Sequence, residues 1–465
     1  KKKKGWSFMS TNSSSTHLMT EGNILKEILL FSVPLILGNL LQQFYNTFDS
    51  IIVGKFVGAN ALAAVGSSGS LIFLIISFAQ GAAVGAGVIV SQYLGGQNRN
   101  GVQKAVHTSI AIALFLGVVM SILGVLVSRP LLLWMDTPKE VLPESIVYLK
   151  IYFAGTIFTV LYNMVSGILN AVGNSKRSLI YLAIASITNI VLDIVLVALL
   201  RMGIAGAAIA TVFSQFISCV FSMRFLLKTN ESYQVSLKKI RFHKMVCIRI
   251  IKVGLPAGIQ NTVIAISNVL VQASVNGFGA TSMAGFGAYL KVDGFNILPV
   301  MSISMAVTTF TGQNFGAGKL DRVKKGMNKT LWIGIIYTIV TGALILLFAD
   351  PIMRLFTDDP GVVAYGKQAM HYFCPFYWLL SILHGLAGTI RGTGKSIPPM
   401  AVLLISLCLF RIFWIQLILP HYTTINGIFV LYPISWAVGV VLMILYTIFG
   451  HWLYPVNHKN KFHQE

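Results

Sequence analysis

Three carboxylates sit where the surrounding residues leave them little water. The chain has 14 Asp and Glu among its 465 residues. Eleven fall at the termini or between apolar runs, and Asp49, Asp193 and Asp293 fall inside such runs. A carboxylate at the centre of a membrane helix costs about 2.5–3.5 kcal/mol on insertion scales, so each of the three is a functional candidate. Asn189 and Asp193 are four residues apart, which puts both on one helix face. Asp49 lies about five residues before the outer end of its run, and Asp193 about seven before the outer end of its own. Thr211 lies about seven residues after the outer start of the next run, so at ~1.5 Å per residue all three sit at similar depth. Carboxylate, amide and hydroxyl oxygens are what a hard cation prefers. Two adjacent carboxylates can also hold a proton between them. The set Asp49, Asn189, Asp193 and Thr211 is therefore read as a site for Na⁺ or H⁺. The plainer reading is a hydrogen-bonded polar cluster with no transport role.

Other residues carry less specific chemistry. Asp293 lies near Lys291, with Arg411 as a further basic residue inside a run. It reads either as half of a structural ion pair or as a contact for a cationic substrate. Gln42, Gln43, Phe44, Tyr45 and Asn46 could line a cleft, where amide and aromatic groups suit a flat cation. Packing is the alternative. Pro34, fifteen residues before Asp49, removes a helix hydrogen bond and predicts a bend. His371 and His384 could relay protons, although satisfied core histidines are commoner. Cys219, Cys247, Cys374 and Cys408 show no metal-ligand spacing and read as packing residues. The "GGQN" and "GAGK" turns lack the spacing and flanking strand of a phosphate loop. No nucleophile, metal or nucleotide constellation appears. The expectation is no enzyme, no cofactor and no ATP drive, with a coupling ion as the only inorganic partner.

The elements that must hold these groups are membrane helices. Hydrophobic residues make up 55% of the chain and charged residues 11%, and the mean hydropathy is +0.76. Soluble domains carry about 25% charged residues. The apolar runs are long and lack period-2 alternation, which excludes a barrel. Twelve spans are expected, at about 28–54, 61–90, 105–128, 146–170, 178–200, 204–227, 253–277, 283–311, 329–349, 363–388, 397–419 and 425–452. With the N-terminus inside, inner segments hold 26 Lys and Arg and outer ones hold six. That asymmetry places both termini in the cytoplasm. The net charge of +21 is thus a topology signal and not a sign of nucleic-acid binding. Residues 1–20 read as a disordered extension, 21–227 as an N-lobe, 228–252 as a cytoplasmic inter-lobe loop, 253–455 as a C-lobe and 456–465 as a cytoplasmic tail. Lys1–Thr16 lacks the apolar core of a signal peptide, and Met9 or Met19 could be the start site.

The chain repeats itself at an offset near 221. "VPLILGNLLQQF" from Val33 matches "LPAGIQNTVIAI" from Leu255, pairing Pro34 with Pro256. "VGANALAAVG" from Val57 matches "FGATSMAGFG" from Phe278, "SQYLGGQN" from Ser91 matches "GQNFGAGK" from Gly312, and "GNSK" at 173–176 matches "GTGK" at 392–395. Six spans per repeat is even, so both halves enter the membrane in the same direction. Parallel repeats of this kind rock against each other to alternate access. The predicted fold is an all-α membrane protein with twelve transmembrane helices in two pseudo-symmetric six-helix lobes. In the second repeat Asp49 falls on Val271 and Asp193 on Ile415, so the acids are not part of the shared scaffold.

Over about residues 20–455 the sequence resembles the MATE family (multidrug and toxic compound extrusion). The likeness rests on "VPLILGNLLQQFYNTFDSIIVG", "SQYLGGQN", "GQNFGAGK", "GILNAVGNSK" and "NIVLDIVLV". The resemblance implies two lobes about a central cleft, and export of cationic amphipathic compounds driven by inward Na⁺ or H⁺. It further implies that Asp49, Asn189, Asp193 and Thr211 form the cation or proton site and that Pro34 bends with ion occupancy. Some branches carry an acid after the turn at "GLPAGIQNTVIAI"; this chain has none there, which weighs against coupling in the C-lobe. A lipid-linked oligosaccharide flippase of the wider superfamily is the alternative, and a receptor or channel without coupled transport is a third. The expected partners are organic cations and membrane lipid but no nucleic acid. The expected state is a monomer in the inner cell membrane.

Overall fold

A computed structural model describes residues 16–135 and 137–453. Asp136, most of the N-terminal extension and the C-terminal tail lie outside the described residues. The first half forms α1 (Ile24–Phe56), α2 (Ala59–Gly95), α3 (Arg99–Trp134), α4 (Leu142–Ala154), α5 (Thr156–Ala171), α6 (Ser175–Asp193) and α7 (Gly203–Lys228). The second forms α8 (Lys244–Asn276), α9 (Ala280–Gly316), α10 (Leu320–Leu347), α11 (Ala349–Arg354), α12 (Pro360–Phe373), α13 (Tyr377–Gly392), α14 (Ile397–Leu404), α15 (Phe410–Phe413) and α16 (Asn426–Phe449). Among the described residues eleven helices are long and apolar enough to span a membrane. The pair α4 and α5, bent by 50° at Gly155, makes a twelfth. Helices are the only open-ended way to satisfy every backbone group in hydrocarbon, which is why the apolar runs fold this way.

Two boundaries differ from the sequence reading. α8 begins at Lys244, so Lys244–Lys252 is helix and the inter-lobe loop is shorter than 228–252. Basic residues tolerate a helical extension into the interfacial water, and the apolar content alone could not show it. Residues 16–20 are also not a loose extension. Met19 and Thr20 are buried at the junction of the two lobes.

The repeat is visible in the backbone. Gly58 and Gly279 both have positive φ, at 123° and 98°, as do Gly173 and Gly394, at 83° and 90°. Each pair is 221 residues apart, and each turn needs a conformation that L side chains rarely adopt. The last pair corrects one detail of the sequence alignment: Gly173 of "GNSK" corresponds to Gly394 and not to Gly392.

The lobes meet along α2 and α8 and along α1 and α9. On α2, a Cβ at Gly81 would sit 2.5 Å from Gly254 O, and one at Gly85 would sit 2.4 Å from Ile250 O. Small residues let membrane helices approach at the backbone, where dispersion replaces the missing hydrophobic drive. α1 and α9 are joined by Asn39 Nδ2 donating to Ser302 Oγ at 2.9 Å, and by the Phe44 and Phe295 rings at 5.9 Å. Nearer the opposite membrane face the picture reverses. A Cβ at Gly66, Gly69, Gly287 or Gly294 would meet nothing within 4 Å. The lobes are thus closed on the face that carries the N-terminus and parted on the other. This contrast gives a paired test in detergent. Gly81→Ala is expected to lower the melting temperature, the overpacking costing roughly 1–3 kcal/mol, whereas Gly66→Ala, in open space on the same helix, leaves it level or raises it slightly through helix propensity. Equal effects from both would contradict this packing.

Candidate ion-coupling site

α6 ends at Asp193 and runs straight into a π-helical turn, Ile194–Leu199. Such turns loosen the backbone ladder and cluster at functional sites. Asp193 and Asn189 are buried one turn apart, and Asp49 is buried on α1 opposite them. The carboxyl groups of Asp49 and Asp193 stand within hydrogen-bonding reach of each other. Asn189 Nδ2 lies 3.5 Å from Thr211 Oγ1 on α7, and that hydroxyl donates to Ala207 O at 3.1 Å. The fold therefore brings Asp49, Asn189, Asp193 and Thr211 into one cluster.

The cluster is short of donors. Oδ1 of Asp49, both carboxyl oxygens of Asp193 and Oδ1 of Asn189 are buried without a hydrogen-bond partner among the described residues. Leaving a buried acceptor unpaired costs about 1–3 kcal/mol, more when it is charged. Four such oxygens in one place suit a group that arrives from outside. A hard cation fits the donor set, and a proton between the carboxyls fits as well.

Tyrosines wall the cluster. The Tyr45 ring lies near Asp49 and Tyr152, while Tyr148 lies near Asp49, Tyr152, Tyr45 and Asp193. The Tyr148 and Tyr152 rings stack at 6.4 Å with planes 23° apart. Sequence reasoning missed Tyr148 and Tyr152. Their signal was a pair of tyrosines at i,i+4 in an apolar run, at the depth of the acids. Gln42, Gln43 and Asn46 are exposed on α1, and Tyr45 is half-buried. Pro34 is buried inside α1, which continues through it unbroken.

Asp293 is arranged differently. It accepts from Tyr377 Oη at 2.7 Å and from Tyr289 Oη at 3.2 Å. Among the described residues neither Lys291 nor Arg411 forms an ion pair with it, which removes the structural ion-pair reading. The two phenols supply hydrogen bonds that two-residue spacing denied to Lys291. Arg411 is buried, donates to Asn268 Oδ1 at 3.2 Å and to Ser435 Oγ at 3.3 Å, and lies 4.5 Å from the centre of the Tyr432 ring. His371 is exposed and His384 is buried. Neither is among the groups around the acid pair.

The second lobe shows what the first has added. At offsets of 221–222 the repeat carries Asp49 to Leu270 or Val271 and Asp193 to Trp414 or Ile415, all apolar; Val271 and Trp414 are buried in the C-lobe apolar core and Ile415 packs against it. The π-turn survives in both halves, at Ile194–Leu199 and Trp414–Ile418. Backbone shape is shared, and the acids are not.

A model of the MatE family matches the chain twice, over residues 34–195 and 256–415, starting at Pro34 and at its partner Pro256. The chain belongs to the MATE family. The "Probable multidrug resistance protein YpnP" of Bacillus subtilis is 31% identical over 392 residues, covering 84% of this chain and 88% of that protein. The "Probable multidrug resistance protein NorM" of Thermotoga maritima is 26% identical over 399 residues, covering 84% of each. A solved outward-facing MATE family transporter superposes with a TM-score of 0.87 at 23% identity, covering 94% of this chain and 98% of its own. The twelve-helix, two-lobe MATE fold is thereby shown.

For this MATE protein the unpaired oxygens predict linkage. In detergent, the melting temperature of the parent should rise on adding Na⁺ in place of a large organic cation, or on lowering pH. A ligand at 100 times its Kd stabilises by about 2.7 kcal/mol. Asp49→Asn and Asp193→Asn should each remove most of that rise. An undiminished rise in both variants would place ion binding elsewhere.

Proposed function

We propose that the chain is a secondary antiporter that exports cationic, amphipathic compounds in exchange for inward Na⁺ or H⁺. The observation that carries this is the pair Asp49 and Asp193, buried, short of donors and present in one lobe only. A merely structural polar cluster would be expected to satisfy its own oxygens. The names of the relatives, multidrug resistance proteins, agree with an export role.

The charge asymmetry of the loops puts the N-terminus in the cytoplasm. The closed face is then the inner one, and the conformation is open to the outside. From there Na⁺ or H⁺ enters at Asp49, Asn189, Asp193 and Thr211. α1 carries Asp49, runs through Pro34 and touches the C-lobe at Asn39 and Phe44. Proline leaves one backbone carbonyl of α1 unpaired, so the helix can bend there at low cost. Ion occupancy at one end of α1 can thus bias the lobe contact further along it. The substrate cation meets Gln42, Gln43, Tyr45, Asn46 and Asp293 along the cleft. Substrate and ion then compete through conformation and charge, and their coupling is reciprocal. The protein would work as a monomer in the inner cell membrane.

The oligosaccharide flippase reading gains nothing from the structure. A pyrophosphate needs several accessible cations together, and of the basic residues inside the runs Arg411 is buried against Asn268, Ser435 and Tyr432, while Lys291 is exposed and close in sequence to the carboxylate of Asp293.

The test is transport of a fluorescent organic cation in proteoliposomes with imposed Na⁺ or H⁺ gradients. The parent should drive export with one gradient or both. Asp49→Asn and Asp193→Asn should each lower gradient-driven export at least tenfold while the protein still inserts. Export at the parent rate by both variants would refute coupling in the N-lobe.

A further inference from the structure

The closed face is held by a pair of hydrogen bonds related by the internal symmetry. Gln92 Nε2, at the end of α2 in the N-lobe, donates to Gly392 O in the C-lobe at 3.0 Å. Gln313 Nε2, at the end of α9 in the C-lobe, donates to Ala171 O in the N-lobe at 2.9 Å. The 221-residue offset carries Gln92 onto Gln313 and Ala171 onto Gly392. Both glutamines are buried. Both acceptors are the final residues of helices, α5 and α13. The last carbonyls of a helix have no partner within it. Each lobe therefore caps a helix end of the other. The backbones close around these bonds: a Cβ at Gly95 would sit 1.9 Å from Gln313 O, and one at Gly316 would sit 1.9 Å from Gln92 O.

Among the described residues, one side of this pair carries further contacts from the segment before α1. The Met19 amide donates to Gln313 Oε1 at 2.8 Å, and the His17 amide donates to Val172 O at 3.0 Å. Lys319 Nζ donates to Thr20 O at 3.0 Å, and Arg322 donates to the carbonyls of Met19, Glu21 and Gly22. The repeat places Asn98 and Gly101 where the C-lobe has Lys319 and Arg322. Met19 fills an apolar pocket made by Ile28, Phe31 and Leu35 of α1 with Ala306 and Phe310 of α9. Residues 17–22 thus leave the N-lobe and are gripped by C-lobe cations through backbone carbonyls.

We propose that Gln92 and Gln313 form the gate that seals this face, and that residues 17–22, held by Lys319 and Arg322, are its latch. Opening the face exchanges two helix-end hydrogen bonds and the carbonyl contacts of the latch for water. Water can satisfy the freed carbonyls, so the gate is reversible, and the latch adds to the closed state on one side. Gln92 and Gln313 are positioning residues, which set the balance of states without touching substrate. The proposal rests on the alternating-access reading.

The test is pulsed dipolar spectroscopy in lipid nanodiscs. Spin labels are placed at Lys176→Cys and Lys325→Cys, exposed positions on opposite lobes of the closed face, with the four native cysteines replaced by serine. The parent should show mainly one short distance. Gln92→Ala with Gln313→Ala, and separately Arg322→Ala, should raise the ratio of a longer distance to the short one about tenfold, equivalent to about 1.4 kcal/mol. Gln313→Glu keeps the acceptor for Met19 but loses the donor to Ala171, and should fall between parent and double variant. A parent-like distribution in both the double variant and Arg322→Ala would overturn the gate. Should the double variant fail to fold, Arg322→Ala and Gln313→Glu decide the matter. The readout needs no ion gradient. Shifted distances without exchange in proteoliposomes would leave the gate standing and remove the antiport reading, and the reverse pattern would do the opposite.

Discussion

Everything in this molecule turns on two carboxyl groups held at membrane depth without enough donors. Asp49 and Asp193 approach each other from α1 and α6, and three of their four oxygens are buried without a partner. Burying charge unpaired is among the larger penalties available to a folded chain. The rest of the fold makes it tolerable. The π-turn after Asp193 is built into the backbone of both lobes, and tyrosines close the walls. A cation or proton would relieve that penalty, which is the property the proposed coupled transport requires.

The internal symmetry supplies the means of using that response. Two lobes of similar backbone meet on one face through glycines and through the paired bonds from Gln92 and Gln313. Such an interface has two ways of closing, one at each membrane face. Symmetry alone would leave them without a driver. Under the proposed mechanism the departures from symmetry would provide one: acids in the N-lobe where the C-lobe is apolar, and residues 17–22 held by Lys319 and Arg322.

Much of this was legible in the sequence. Apolar runs in lipid leave helices as the sole open-ended solution, so span number and the two-lobe repeat followed from composition and from Pro34 and Pro256. The acids stood out because so few charges lie inside the runs. Helix ends were less accessible, as Lys244–Lys252 shows, since basic interfacial helix and basic loop share a composition. Tyr148 and Tyr152 carried only the weak signal of an i,i+4 tyrosine pair in an apolar run, and tertiary packing alone shows that they face Asp49. Met19 and Thr20 were hidden because Lys319 and Arg322 hold the strap's backbone carbonyls, and a carbonyl carries no sequence signature.

The central claim is that one ion site in the N-lobe and the substrate cleft are coupled. It is tested most directly by calorimetric titration of the purified protein with an organic cation, repeated in buffers of different ionisation enthalpy and at several Na⁺ concentrations. Binding should displace the ion, seen as an observed enthalpy that depends on the buffer or an affinity that falls as Na⁺ rises. Asp193→Asn should abolish that dependence. Binding with neither dependence in the parent would contradict the account.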